Sequence, residues 1–130
     1  MTSFIKAAML GAALVWSANA FALTGDAAKG AVVFKKCAIC HKVGPNAKPG
    51  VGPVQNNLIG ATAGSRPGFN YSTAMKEAGA KGIVWTPENL DKYLTNPKAM
   101  VPGNKMAFPG LPVAQDRADV IAYLATQTGQ

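Results

Sequence analysis

The residues best suited to chemistry are two cysteines and a histidine within five positions, Cys37-Ala38-Ile39-Cys40-His41. Two thiols at this spacing can each add to one vinyl group of a porphyrin, and the imidazole of the next residue can bind the iron. On a helix the three side chains fall at i, i+3 and i+4, so they share one face. They are also the only cysteines and the only histidine of the chain. The pattern predicts one covalently attached haem c per chain, with His41 as an axial ligand of its iron.

Other uses of these residues fit the sequence less well. A structural zinc site normally has four ligands, whereas only three cysteine and histidine ligands exist here. A thioredoxin-like dithiol would lie beside a βαβ pattern, and no such pattern follows the motif. A disulfide between Cys37 and Cys40 would close too short a loop to stabilise the fold much. A dithiol or a chance match therefore remains the alternative to haem attachment.

A haem iron held by His41 has a second axial position, for which methionine is the natural candidate in a chain without another histidine. Once the leader described below is removed, three methionines remain: Met75, Met100 and Met106. Methionine usually fills gaps in a core. Met106 is favoured because its loop is stiffened by Pro102-Gly103 and Pro109-Gly110, although spacing alone does not exclude Met100. Iron with an imidazole and a thioether bound can exchange an electron and offers no open site to a substrate.

Short helices and long loops must position these residues. No β-alternation is convincing, and the two stretches rich in glycine and proline, Val43 to Phe69 and Pro97 to Pro112, are predicted to be irregular. The chain is therefore predicted to be all-α, with about four to five helices and loops wrapped around the cofactor. The first predicted helix is capped near Thr24 or Gly25, has Asp26 in its first turn and runs to about Lys36 or His41. The others run from Ser72 or Thr73 to Gly79, from Thr86-Pro87 to Thr95, and from Val113 to Gln127.

Residues 1–22 are predicted to be a secretory signal peptide. Lys6 precedes an apolar run from Ala7 to Trp16, and the small residues that follow fit cleavage after Ala20 or Ala22. This run is shorter than the roughly 20 apolar residues of a membrane span. No permanent membrane anchor is expected, with an uncleaved anchor as the alternative. Residues 23–130 are then one domain, exported to the periplasm.

The chain is basic, with a net charge of +7 from 13 lysines and arginines against 6 acidic residues. Such a charge suits nucleic acid, an anionic membrane surface or an acidic protein. The basic residues are spread along the chain and no nucleic-acid motif accompanies them. The sequence therefore predicts an acidic protein partner and no nucleic acid.

Over nearly all of residues 25–130 the chain resembles the class I cytochromes c, of the mitochondrial and bacterial periplasmic (c2) type. The resemblance implies the small class I cytochrome c fold around one haem, a monomer, and a one-electron carrier rather than an enzyme. It extends well beyond the haem motif. The matching segments are Gly25-Asp26-Ala27-Ala28-Lys29-Gly30 with Phe34, Gly52-Pro53, Pro67-Gly68-Phe69-Asn70-Tyr71, Val84-Trp85, Tyr93-Leu94-Thr95-Asn96-Pro97-Lys98, Val101-Pro102-Gly103-Asn104-Lys105-Met106-Ala107-Phe108 and Asp119-Val120-Ile121-Ala122-Tyr123-Leu124.

The resemblance also implies roles for single residues. It makes Met106 the axial ligand and Met100 a packing residue, and it gives the carbonyl beside Gly52-Pro53 a hydrogen bond from His41. It places Tyr93 near the Met106 sulfur. The side chains that it places against the haem are Pro53, Tyr71, Trp85, Tyr93 and Phe108, of which Tyr71 and Trp85 reach the propionates, and the helix crossing that it implies uses Gly30, Phe34, Val120 and Tyr123.

The resemblance further implies a docking face and partners. Lys36, Lys98 and Lys105 are expected to ring the exposed haem edge and to steer acidic partners toward it. The implied partners are membrane redox complexes, namely a cytochrome bc complex, a terminal oxidase or a photosynthetic reaction centre. The rival readings are a haem enzyme or gas-binding protein, in which Met106 is not a permanent ligand, and a membrane-tethered subunit.

Four residues depart from the family's pattern. Ala61 stands where many relatives have an arginine near a propionate, and Met75 stands where animal relatives have an asparagine near the haem. Val54 and Gln55 replace the usual Asn-Leu after Gly-Pro. The contacts at these four positions are therefore not predicted by the resemblance.

Overall fold

A computed structural model of the chain describes residues 24–129. Within that range the only pairing of extended backbone is an isolated antiparallel bridge between Thr62 and Val84, which confirms the prediction of an all-α fold. The predicted signal peptide, residues 1–22, lies outside the described residues. The helices of the described range are α1 (Ala27–Phe34), α2 (Thr73–Ala80), α3 (Pro87–Thr95), α4 (Pro97–Met100) and α5 (Ala114–Thr126).

The start of α1 is fixed by Asp26. Its carboxylate accepts hydrogen bonds from the backbone N–H groups of Ala28 and Lys29, at 2.9 and 3.1 Å, and its own backbone is extended. Asp26 is therefore the N-cap, not a first-turn residue behind Thr24 or Gly25 as predicted. The predicted position was wrong by one or two residues because any of these three types can cap a helix.

The end of α1 also differs from the prediction. The regular helix stops at Phe34, before the predicted end at Lys36 or His41. The next residues form turns, in which the Cys37 N–H donates to the Phe34 carbonyl and the His41 N–H donates to the Cys37 carbonyl, both at 2.8 Å. Some of these hydrogen bonds span three residues and others span four, which breaks the regular helix. The bond from His41 to Cys37 spans four residues, so the motif itself still forms one helical turn.

Helices α1 and α5 cross in close contact, as the resemblance implied. A Cβ atom added to Gly30 would lie 1.9 Å from the Asp119 carbonyl oxygen and 2.7 Å from the Tyr123 Cβ, so only glycine permits this approach. Beside the crossing, the rings of Phe34 and Tyr123 pack with their centroids 5.3 Å apart. Val120 lies fully inside the same contact, with 1% of its surface exposed.

A buried carboxylate joins the two crossing helices. Asp119 of α5 accepts hydrogen bonds from the Asp26 backbone N–H and from the Gln115 amide, each at 2.8 Å. The Asp26 N–H, followed by the Gln115 amide, lowers the pKa of Asp119. The charged form of Asp119 therefore holds the N-terminus of α1 against α5.

The second and third helices follow the predicted bounds closely. Ser72 caps α2 by accepting from the Met75 N–H, and Thr86 caps α3 by accepting from the Asn89 N–H, both at 3.1 Å. Pro87 occupies the first position of α3, where its missing N–H costs no hydrogen bond. The prediction of a helix from Thr86-Pro87 to Thr95 is confirmed.

The short helix α4 corrects the prediction that the whole stretch from Pro97 to Pro112 is irregular. Pro97 again takes the first helical position, and the Asn96 side chain accepts from the Ala99 N–H at 3.3 Å. One helical turn therefore fits between this cap and Val101, where the helix ends. The prolines excluded a longer element, but they did not exclude a single turn that begins at a proline.

Two adjoining apolar clusters form the core. Leu58 and Leu94 pack against both clusters and connect them. The first consists of Ala63, Ala78, Trp85, Leu90, Tyr93, Val101 and Ile121. The second consists of Phe34, Leu111, Val120 and Leu124.

Candidate haem site

The imidazole of His41 is oriented by the loop that follows the motif. Its Nδ1 lies 2.8 Å from the Pro53 carbonyl oxygen. A carbonyl oxygen can only accept, so Nδ1 carries the proton and Nε2 keeps a lone pair for a metal. Burial lowers the pKa of His41, while the Pro53 carbonyl opposes this shift. The lowered pKa favours the neutral ring, which is the form that binds a metal.

Gly52 forms a backbone surface on which the His41 ring lies. An added Cβ at this position would lie 2.5 Å from the ring Cε1 and 2.7 Å from Nδ1. The Gly52 N–H also donates to the Cys40 carbonyl at 2.9 Å, which ties the loop to the motif. A side chain at Gly52 would displace the ring, so the structure requires glycine here for close approach.

The two cysteines lie beside this ring in the sequence and are both half-buried free thiols. Cys37 packs against the cluster of Phe34 and Leu111. Burial raises the pKa of the Cys37 thiol, and the charge of Lys36 opposes this shift. Neither thiol is committed to a disulfide, so both are available to bond to a porphyrin side chain.

The loop that carries Met106 is held by a buried asparagine. The Asn104 amide donates to the carbonyls of Pro97 and Val101, at 3.1 and 2.8 Å, and its oxygen accepts from the Met106 N–H at 2.9 Å. Met106 itself is half-buried against the first core cluster. Sequence reasoning credited the neighbouring prolines with stiffening this loop, and it missed Asn104. The sequence signal is weak: Asn104 follows Pro102-Gly103, and an asparagine in a turn can bond neighbouring backbone groups, but Lys105 beside it is polar too.

Three of the side chains predicted to contact the haem, Trp85, Tyr93 and Phe108, lie at the two core clusters. Trp85 and Tyr93 are buried in the first, with ring centroids 4.9 Å apart, and burial raises the pKa of Tyr93 to about 12. Met100 packs against this cluster, as Met106 does. Phe108 packs against the second cluster, as Cys37 does. Met106, Tyr93 and Trp85 thus lie at the first cluster, and Phe108 and Cys37 at the second.

Tyr71 lies apart from these clusters, beside an arginine that sequence reasoning did not select. Its half-buried ring meets the Phe69 ring edge-on, with centroids 5.0 Å apart. Burial raises the pKa of Tyr71, and a hydrogen bond and the charge from Arg66 oppose this shift. The Arg66 guanidinium donates to the carbonyl of Asn56, a buried residue whose amide bonds both the N–H and the carbonyl of Gly44. A half-buried cation is therefore fixed beside Tyr71, although Ala61 supplies none.

The three predicted docking lysines, Lys36, Lys98 and Lys105, are all exposed. The side chain between the two cysteines is exposed as well, with 81% of the Ile39 surface open, and Val51 is 80% exposed. Of these exposed groups, Lys36 and Ile39 belong to or adjoin the motif in the sequence, so a charge and an apolar side chain are both exposed there.

The residues present fit a covalently attached haem. The donor set combines two free thiols, a neutral imidazole with Nε2 available, and a thioether on a braced loop, which is the set that a c-type haem uses. The backbone of Gly52 leaves room for the His41 ring but not for a side chain at position 52. The side chains around these groups are mostly apolar and half-buried, so they can cover the faces of a flat macrocycle: Leu58, Ile59, Leu94, Met100 and Phe108.

Comparison with known proteins supports this assignment. The family model described as cytochrome c matches residues 27–128. Cytochrome c2 of Rhodomicrobium vannielii is 68% identical over 126 residues, which is 97% of this chain and 98% of that protein. Cytochrome c2 of Agrobacterium tumefaciens is 51% identical over 77% of this chain and 90% of that protein. The solved structure of cytochrome c2 from Rhodospirillum centenum has a TM-score of 0.77 and 44% identity, and covers 81% of this chain and all of that one.

The chain therefore belongs to the cytochrome c family and has its class I fold. It is an electron-transfer protein, not an enzyme, and it carries a covalently bound haem c, for which its two cysteines have the required spacing. These findings confirm the expectations of fold, cofactor and activity that the sequence supported. The roles of the individual site residues are a separate matter.

Proposed function

We propose that His41 Nε2 and the Met106 sulfur are the two axial ligands and that the chain carries single electrons in the periplasm. The observation that carries this proposal is the orientation of His41, whose Nδ1–H is committed to the Pro53 carbonyl while its ring rests on Gly52. An imidazole held in this way presents Nε2 in one fixed direction. Met106, on the loop braced by Asn104, supplies the opposite ligand.

A bound haem c supplies a reversible one-electron change of its iron. The residues of this chain determine how easily that change occurs. His41 and Met106 would hold the iron and leave no position for a substrate, and the Met106 thioether would favour the ferrous form. The buried rings of Trp85 and Tyr93 exclude water, which also disfavours the additional charge of the ferric form.

The propionates are proposed to lie toward Tyr71 and Trp85. Arg66 adds a charge to this set, because its half-buried guanidinium is held beside Tyr71 by its bond to the Asn56 carbonyl. A cation near two carboxylates reduces their repulsion and their desolvation cost. Arg66 thus supplies the positive charge that Ala61 does not.

We also propose how the carrier is exported and which complexes it serves. Residues 1–22 act as the export signal and residues 23–130 as the exported monomer. None of the described helices is long and apolar enough to cross a membrane. The partners are membrane redox complexes with acidic docking surfaces, such as a cytochrome bc complex, a terminal oxidase or a photosynthetic reaction centre. Docking uses Lys36, Lys98 and Lys105, because exposed lysines steer an acidic partner without forming a tight complex.

The axial pair is tested on exported, haem-loaded protein. We expect the ferric form to show the weak near-infrared band of a thioether ligand and to bind added cyanide slowly and weakly, because Met106 occupies the sixth position. Absorption spectra before and after cyanide addition measure both properties. Rapid, tight binding of cyanide or carbon monoxide would contradict the pair and favour a gas-binding or enzymatic haem.

The docking face is tested by reversing two charges. We expect Lys98→Glu combined with Lys105→Glu to slow electron transfer to an acidic membrane redox complex about tenfold at low salt. The difference should shrink as the ionic strength rises past about 0.1 M, where the screening length is about 10 Å. Stopped-flow kinetics over a salt series measure this effect.

A matched variant, Lys29→Glu with Lys76→Glu, changes the net charge equally at exposed positions on α1 and α2. It should slow the reaction much less. Equal slowing by both pairs would show that net charge, and not this lysine face, governs docking.

A further inference from the structure

Gln55 is placed against the proposed axial ligand by the loop that follows Pro53. Its backbone N–H donates to the Lys42 carbonyl at 2.9 Å, which fixes the start of the side chain. The far end of that side chain, the amide nitrogen Nε2, lies 2.8 Å from His41 Nδ1. A second polar group therefore meets the nitrogen that already bonds the Pro53 carbonyl, also at 2.8 Å.

The polarity of this contact is unfavourable with the amide in that orientation. Nδ1 carries a proton, because its other partner is a carbonyl oxygen that can only accept. An amide NH2 group can only donate, so two donors would face each other. The amide oxygen Oε1 is at the same time the one buried side-chain polar atom within residues 24–129 that has no hydrogen-bond partner. An unpaired buried polar atom destabilises the fold.

A half-turn of the amide about its last side-chain bond improves this contact. The oxygen and nitrogen of a glutamine amide have nearly the same size and exchange places in that rotation. Oε1 then lies about 2.8 Å from Nδ1 and accepts its proton. The two facing donors are thereby replaced by one hydrogen bond. The amide nitrogen moves to the buried position that Oε1 leaves, so at worst one unpaired atom replaces another.

We propose that Gln55 Oε1 accepts a second hydrogen bond from His41 Nδ1–H and is a positioning residue that tunes the reduction potential. The proposal rests on the proposed ligation of iron by His41 Nε2. A proton shared between two acceptors leaves more electron density on the imidazole. A more electron-rich ligand stabilises ferric over ferrous iron, so Gln55 lowers the reduction potential while the Met106 thioether raises it.

The test is the reduction potential of the haem-loaded variant Gln55→Leu, which removes the acceptor at nearly constant volume. We expect the equilibrium to shift three- to tenfold toward the ferrous form, where tenfold corresponds to about 59 mV for one electron. Because Leu could disturb the loop, Gln55→Asn is measured as well. Its amide is one methylene too short to reach Nδ1, so it should shift the potential in the same direction. The hyperfine-shifted proton signals of the His41 ring should move in both variants.

Two controls make the result decisive. Gln115→Leu removes an amide that contacts Asp119 and no proposed haem ligand, so it should leave the potential unchanged. The near-infrared thioether band must persist in each variant, which shows that both axial ligands are retained. A potential that falls, or stays put, in Gln55→Leu and Gln55→Asn with the band intact would overturn the role of Gln55. Absence of the band from the unaltered protein would instead refute the His41 and Met106 pair itself.

Discussion

Replacement of Met106 by leucine should convert the carrier into a ligand-binding haem protein. Leucine conserves the volume of methionine, and such exchanges usually cost less than about 1.5 kcal/mol, so the fold should survive. The iron loses its thioether, however, and its sixth position opens. We expect the near-infrared band to vanish, cyanide to bind rapidly, and the reduction potential to fall by on the order of 100 mV, within the roughly 0.8 V over which axial ligands set haem potentials.

Met100→Leu is the matched control, because sequence spacing alone left both methionines open. Met100 packs half-buried against the first core cluster, near the end of α4. The same exchange there should leave the band, the cyanide kinetics and the potential close to those of the unaltered protein. If Met100→Leu removes the band and Met106→Leu does not, the two roles are reversed, and the brace that Asn104 gives to Met106 serves packing only.

The contrast between these two methionines shows where sequence reasoning stops. In the sequence both belong to a stretch rich in proline and glycine, and local pattern gave only a preference for Met106. The family resemblance implies Met106, and the structure adds an observation that supports this choice. The loop is braced by Asn104, which bonds the Pro97 and Val101 carbonyls and the Met106 N–H. These partners are close in sequence, but their geometry depends on α4, which the sequence did not predict.

Elements with local determinants were predicted well. Helix α3 begins at a threonine followed by proline and ends before the next proline, so both of its boundaries are determined by neighbouring residues. The haem motif is similar, since two attachment cysteines and one candidate ligand within five residues need no tertiary contact to be recognised. The end of α1 was less predictable, because the residues after Phe34 can form either regular helix or turns.

Features that depend on contacts between distant segments were not predicted. Arg66 was passed over because nothing near it in the sequence indicates that its side chain reaches the Asn56 carbonyl and lies beside Tyr71. Gln55 was noticed only as a departure from the family's pattern. Its contact with His41 spans 14 positions and follows from the return of the loop to the motif. Pairings of this kind are set by the fold as a whole.

The crossing of α1 and α5 should tolerate no side chain at Gly30. In the Gly30→Ala variant, the new Cβ would lie 1.9 Å from the Asp119 carbonyl oxygen and 2.5 Å from its carbon, which are backbone atoms that cannot rotate away. The helices must separate, which loosens the contacts of Phe34 and Tyr123. We expect a loss of about 3 kcal/mol or more in the free energy of unfolding, and a melting temperature lower by roughly 10–20 °C. Denaturant and thermal unfolding of the haem-loaded protein measure both.

Whether Gly30→Ala loses or gains stability distinguishes a close helix crossing from the intrinsic helix propensity of alanine. Alanine in place of glycine within an isolated helix is favourable by up to about 1 kcal/mol, so a stabilised Gly30→Ala variant would show that α1 does not approach α5 closely. Gly50→Ala is the matched control, because a Cβ there would meet only the Cys40 carbonyl oxygen, at 3.9 Å. This variant should change stability by less than about 0.5 kcal/mol.

Since α1 leads directly into Cys37 and His41, separation of the helices should also shift the haem absorption bands. Such a shift in Gly30→Ala, absent from Gly50→Ala, would show that the crossing holds the haem motif in place.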